Sequence, residues 1–138
     1  MKLNRTYYKY IENELYNYHN NKLELENFKD DIIQGSSYQS GDRVQTSTLS
    51  DETATKAVKL TSSVRLNQLT RTIRGIETGI NILKTQPEPY KYRLLEMKYF
   101  DCQYTDMKIA HELSISMETY YRWKRQIVNL IAINIGLM

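Results

Sequence analysis

The side chains best suited to chemistry lie near the carboxyl end of the 138-residue chain, where the acidic residues stop before the basic ones do. Glu118 is the last acid, and Arg122, Lys124 and Arg125 follow it. A guanidinium group can donate two hydrogen bonds to a guanine edge, and a carboxylate can accept one from cytosine. Arginine and lysine also bind phosphates without distinguishing sequence. This set of residue types therefore predicts contact with duplex DNA.

Two helices joined by a tight turn are predicted to position these side chains. Thr105 is expected to cap a helix over about 105–113, and Ser116 is expected to cap a longer helix that ends before Gly136. Between them, Ser114 stands where many such turns have glycine, because the backbone there often adopts positive φ. The arrangement is typical of a helix-turn-helix.

The apolar residues of this region have the spacing that two steeply crossing helices require. The small Ala110 is expected where the helices approach most closely. In the longer helix, positions 120, 123, 127 and 130 are assigned to the core, so the other early positions are predicted to face solvent. The predicted contacts between the helices are Ile109, Leu113, Ile115, Tyr120 and Trp123.

The predicted DNA-facing surface follows from this assignment by elimination. Arg122 is predicted to read a base edge and Glu118 to accept from cytosine, while Lys124 and Arg125 are assigned to phosphates. The free amides that open the shorter helix are expected to bind another phosphate. The alternative is an ordinary three-helix unit with a solvated basic face. The full set is Thr105, Ser116, Met117, Glu118, Thr119, Tyr121, Arg122, Lys124 and Arg125, and Gln126 shares their face.

The segment KIAHELSISMETYYRWKRQIVNLI (108–131) resembles the helix-turn-helix in the fourth conserved region of bacterial sigma factors. RLLEMKYF (93–100) is similar to the helix that leads into that motif. No part of the chain resembles the different sigma-factor region that binds the promoter −10 element. The residues that match the motif are Ile109, Ala110, Leu113, Ile115, Ser116 and Thr119.

The chain as a whole resembles the RinA/ArpU group of phage and prophage transcriptional regulators. YKYIENELYNYHNNKLELENFKDDII (8–33) is similar to the opening segment of the group, and GDRVQTSTLSDETATKAVKL (41–60) to its linker and following helix. The resemblance implies an activator of phage late or packaging genes that binds promoter DNA and engages host RNA polymerase. It also implies the cytoplasm of a bacterial host as the location.

Outside the carboxyl-terminal unit, the sequence predicts an all-α fold of an amino-terminal helical segment and a long central helix. Residues 1–34 have helical apolar spacing whose phase slips near 19–21, which indicates a helical hairpin or a kinked helix. Residues 35–50 contain two glycines, five serines and two threonines and are predicted to form a flexible linker. Residues 51–86 then form the long helix, and residues 87–138 form the helix-turn-helix unit, whose first helix spans about 89–100.

The long helix has a heptad stripe of apolar residues and much of the positive charge. Residues 59–86 contain five basic residues and one acidic residue. One interpretation of the stripe is a face packed within a helical bundle, and the other is a seam between two copies of the chain. The stripe consists of Leu66, Leu69, Ile73, Ile76, Ile80 and Leu83.

Composition argues against several classes of protein. No apolar run is long enough for a membrane span, and the amino terminus is unlike a signal peptide, so a cytoplasmic location is expected. His19 and His111 fall in different predicted units, and Cys102, with no histidine nearby in sequence, is interpreted as a small apolar filler. We therefore expect no enzyme activity, no cofactor and no metal. The second hypothesis is a helical adaptor that binds protein without touching DNA, which the tyrosine-rich amino-terminal segment favours.

Overall fold

The computed structural model describes the backbone of residues 3–38, 49–87 and 89–138, and the side chains of residues 3–30, 63–87 and 89–138. Helices account for all the regular structure in these ranges, which confirms the predicted all-α fold. None of the described helices is both long and apolar enough to cross a membrane. The helices are α1 Arg5–Tyr16, α2 Tyr18–Tyr38, α3 Leu49–Lys84, α4 Tyr90–Leu95, α5 Asp106–Glu112 and α6 Met117–Ile135.

The break between the first two helices falls at Asn17, which is earlier than the predicted break at 19–21. The Asn17 side-chain amide donates to the carbonyl oxygen of Asn13 at 2.9 Å, so this residue satisfies part of the helix end itself. Helix α2 then continues to Tyr38, which makes the first four residues of the predicted linker helical. Extending an existing helix is far easier than starting one. The last two residues of the predicted linker, 49 and 50, are also helical because α3 begins at Leu49, and residues 39–48 lie outside the described residues.

The chain divides into two compact units that do not follow the predicted order of segments. One unit contains residues 1–19 and 71–138, and the other contains residues 20–70. Within the first unit, α1 packs against α6 and against the π-helical segment Glu96–Asp101 that continues α4. The amino-terminal helix therefore belongs to the core of the carboxyl-terminal unit, which the sequence did not predict.

The heptad stripe of α3 is buried within a single chain. Ile76 is fully buried, and only Leu66 of the stripe is half-exposed. This burial favours the bundle interpretation over a seam between two copies. Gly75 and Gly79 lie on the same helix, and a Cβ atom at Gly75 would lie 2.5 Å from Cγ1 of Ile135. The two glycines thus let the end of α6 approach α3 closely. The buried members are Leu69, Ile73, Ile76, Ile80 and Leu83.

The predicted helix over about 89–100 forms as α4 followed by the π-helical segment. Cys102 ends that segment with a φ of 55°, in the left-handed region. The interpretation of Cys102 as an apolar filler is wrong, because its side chain is exposed and its thiol donates to the Tyr99 carbonyl oxygen at 3.1 Å. The left-handed turn directs the residue away from the core.

Candidate nucleic-acid interface

Both predicted helix caps of the carboxyl-terminal unit are present. The Thr105 hydroxyl accepts from the Lys108 amide at 3.2 Å at the start of α5, and the Ser116 hydroxyl accepts from the Thr119 amide at 3.1 Å at the start of α6. Each cap satisfies an amide that has no partner inside its helix. The first turn of α6 is therefore fixed in place, and the side chains that follow Ser116 start from a defined position.

The turn between α5 and α6 has left-handed backbone at Ser114, the position where many helix-turn-helix turns have glycine. Ser114 has a φ of 55°, and the Ile115 amide donates to the Ala110 carbonyl oxygen at 3.0 Å. This bond reaches back across the end of α5 and closes the turn. A non-glycine residue accepts left-handed geometry at a cost, so the surrounding contacts must hold Ser114 there.

The packing of α5 on α6 matches most of the predicted core. Ile109, Ala110, Leu113 and Tyr120 are buried, whereas Ile115 and Trp123 are only half-buried. Leu130, which was also assigned to the core, is half-buried like Trp123. The second half of α6 buries a wider arc because it packs on other helices as well as α5. That arc consists of Ile127, Val128, Ile131, Ala132 and Ile135.

A polar cluster fixes the buried tyrosine of α6 to the start of α5. The Tyr120 hydroxyl donates to Oδ1 of Asp106 at 2.5 Å, and Lys98 Nζ donates to the same oxygen at 2.8 Å. Burial raises the pKa of Asp106, but the hydrogen bonds from Lys98 and Tyr120 outweigh it and hold that pKa below its usual value. Burial and the bond to Asp106 raise the pKa of Tyr120. Neither group changes charge near neutral pH.

Lys124 is placed differently from the prediction. Its side chain is 16% exposed, and its ammonium lies 3.5 Å from Oε2 of Glu12 on α1. The Tyr99 hydroxyl donates to the same Glu12 oxygen at 2.7 Å. Lys124 therefore helps to hold α1 on α6 and is less available to a phosphate than the sequence suggested.

The other predicted contact residues remain on the accessible side of the unit. Glu118 and Arg122 are four residues apart on α6 and exposed, so they share one face of the helix. Met117 and Thr119 are half-buried, and the Ser116 hydroxyl donates to that of Thr119 at 3.0 Å. The exposed members of the predicted set are Thr105, Ser116, Glu118, Tyr121, Arg122 and Arg125, together with Gln126.

Sequence reasoning missed the contribution of α1 to this surface. Tyr8 of α1 lines a cleft together with Tyr121 and Arg125 of α6. Arg5, also on α1, lines this cleft as well. A signal was present in the sequence, since the apolar residues Ile11 and Leu15 required a buried partner. Their spacing indicated a helix but did not identify the helix that covers them.

Neither histidine is among the residues of this candidate interface. His19 lies against Phe100, with ring centroids 4.7 Å apart, and His111 is exposed on α5. Over the described side chains, no three His, Cys, Asp or Glu residues are grouped so that they could hold a metal ion. Comparison with known proteins found no match to any family model, curated sequence or solved structure.

Proposed function

We propose that the protein is a sequence-specific DNA-binding regulator of transcription, with α5 and α6 acting as a helix-turn-helix. The observation that carries this proposal is the exposed pair Glu118 and Arg122 at the start of α6, held beside the fully buried Tyr120. A recognition helix needs this combination, in which base-reading side chains face the groove while the helix itself is held rigidly.

Each exposed side chain has a role in this proposal. Arg122 donates two hydrogen bonds to a guanine edge, and Glu118 accepts from cytosine. Arg125 binds a backbone phosphate, which sets the register without reading sequence. The Tyr120–Asp106 bond at 2.5 Å supports this assignment because it keeps the two helices in a fixed relation.

The biological setting is proposed from the resemblance to the RinA/ArpU group. In that setting the DNA is a phage or prophage promoter, the effect is activation of late or packaging genes, and host RNA polymerase is the protein partner. The protein would then act in the cytoplasm of the bacterial host without any enzyme activity of its own.

A second candidate function is a helical adaptor that binds a protein partner without touching DNA. The observation that favours it is the number of exposed tyrosines on α1, where Tyr7, Tyr10 and Tyr16 are 48%, 43% and 44% exposed. Tyrosine is enriched at protein interfaces because its ring contributes contact area and its hydroxyl a hydrogen bond. An adaptor requires the tyrosines but has no need for Arg122.

A fragment-selection experiment separates the two functions. The purified protein is mixed with sheared genomic DNA at low salt, and the retained fragments are sequenced. We expect a few enriched fragments that share a short motif. Arg122→Ala should lose the enrichment, while the matched control Arg93→Ala, an exposed arginine on α4, should keep it. Retention of no fragment by the wild-type protein would refute DNA binding and leave the adaptor.

A further inference from the structure

A cleft of about 380 Å³ opens between the start of α1 and the middle of α6. Both helices belong to the same compact unit of the chain. On one side of the cleft is α6, which was predicted to bind DNA. On the other side are three residues before residue 10, for which no DNA contact was predicted. The lining residues are Leu3, Arg5, Tyr8, Tyr121, Lys124 and Arg125.

The cleft has more positive than negative charge. Of its three cationic side chains, Lys124 is paired with Glu12, and Glu12 also accepts from Tyr99. Arg5 and Arg125 are exposed, and neither forms an ion pair with any of the described residues. Two guanidinium groups at the rim of one cleft therefore remain available to an anion.

The wall of the cleft adds neutral donors. Burial and the nearby Glu12 raise the pKa of Tyr8 to about 12, although Arg125 opposes this, so its hydroxyl stays protonated and can donate. Helix α1 has no acidic residue in its first turn, where its dipole is positive. The rings of Tyr8 and Tyr121 supply apolar surface between the cations. An anion attached to a small apolar group matches this lining.

We infer that the cleft binds a backbone phosphate of duplex DNA, with Arg5 and Arg125 on the phosphate oxygens and the tyrosine rings against the adjoining deoxyribose. The inference rests on the proposed function, since Arg125 and Tyr121 stand on the helix that would enter the groove. The new element is α1, which becomes a second DNA-contacting helix fastened to α6. Arg5 then positions the recognition helix without reading sequence.

The test compares Arg5→Gln with Arg93→Gln, a matched loss of one exposed arginine outside the cleft. Affinity for a selected site and for random duplex is measured over a range of salt concentrations. Arg5→Gln should reduce the slope of log affinity against log salt on both duplexes by up to about 0.9, the effect of one whole phosphate contact, because Arg125 stays on the same phosphate. Arg93→Gln should leave the slope unchanged. Arg5→Gln should fold normally, because a cation at a helix start opposes the dipole.

Neutral methylphosphonates placed singly along the duplex give a second readout. At one position, the substitution should weaken DNA binding by the wild-type protein more than binding by Arg5→Gln, which retains only Arg125 on that phosphate. If the wild-type protein binds but the Arg5→Gln slope is unchanged, the inference about the cleft is wrong and the proposed function stands. If the wild-type protein binds no duplex at low salt, both are wrong. Equal weakening of wild type and Arg5→Gln at every methylphosphonate position also refutes the cleft.

Discussion

The two halves of helix α6 differ in charge and in burial although they form one continuous helix. The first half, 117–126, begins at the Ser116 cap and exposes most of its charged side chains. The second half, 127–135, has no charged residue, buries most of its side chains and lies against Gly75 and Gly79 of α3. Its last turn is held by Arg71, whose Nε donates to the Ile135 carbonyl oxygen at 2.8 Å.

This difference separates folding from binding along a single element. Removing apolar volume from the second half should cost stability, whereas removing an exposed charge from the first half should cost stability very little. Tyr120 joins the two roles, since it is fully buried yet lies between the exposed Glu118 and Arg122.

The largest effect is expected from Ile131→Ala in the second half. Ile131 is fully buried beside Gly79, and truncating such a residue costs about 2–5 kcal/mol of unfolding free energy. The matched control is Ile133→Ala, since Ile133 is 55% exposed and should change stability by less than about 0.5 kcal/mol. Urea denaturation measures both. Equal losses in the two variants would contradict the packing described for this half.

Arg122→Ala in the first half should leave stability unchanged but alter recognition. If Arg122 reads a base, affinity for the selected site should fall by about 1–3 kcal/mol while affinity for random duplex is nearly preserved. Arg125→Ala should instead weaken binding to both duplexes equally, because a phosphate contact does not distinguish sequence. Fluorescence anisotropy with labelled duplexes measures the four affinities. An equal loss of affinity for both duplexes in Arg122→Ala would show that Arg122 contacts the DNA backbone and does not read a base.

Ser116→Ala tests the boundary at which the first half begins. The cap bond from the Thr119 amide to the Ser116 hydroxyl disappears, and losses of this kind cost about 1 kcal/mol. Thermal unfolding followed by circular dichroism reports the loss. Ser116→Asp is the matched rescue, because aspartate also caps helices and should restore most of the stability. A Ser116→Ala variant as stable as wild type would show that the cap does not hold α6.

The smallest effect concerns acid pH and the anchor of Tyr120. Because the pKa of folded Asp106 is below its usual value, its stabilising contribution is complete above the unfolded pKa of about 3.9. That contribution is lost as pH falls through the lower, folded pKa. The carboxylate is partly exposed, so solvent reduces the effect. Asp106→Asn should flatten the pH dependence of the unfolding free energy in this range. An unchanged pH profile would contradict the assigned bonds.

The local features of the carboxyl-terminal unit were predictable because they depend on neighbouring residues. Thr105, Ser116 and Gly136 adopt the capping or left-handed roles that their residue types indicate. These positions require only the geometry of a helix end or a turn, which a few consecutive residues determine. The helical elements were identifiable for the same reason.

The tertiary contacts of the site were less predictable because they join distant parts of the chain. Lys124 was assigned to phosphate because no pattern in its own helix indicated Glu12 as its partner. The burial of Val128 in place of Leu130 depends on which helices surround the end of α6. Cysteine is a small residue that is often buried in apolar space, but the left-handed backbone directs Cys102 outward. Lys124 and the end of α6 were misplaced because local spacing cannot identify the helices that cover them, whereas Cys102 was misplaced because of its own backbone conformation.

If the first half of α6 belongs to a DNA-binding surface, wild-type binding to duplex DNA must depend on salt. Each phosphate contact contributes about −0.9 to the slope of log affinity against log salt, so raising monovalent salt from about 50 to 200 mM should weaken binding by about 3.5-fold per contact. Fluorescence anisotropy with a labelled duplex measures this loss. Absence of binding at about 50 mM salt, or an affinity independent of salt, would contradict the account.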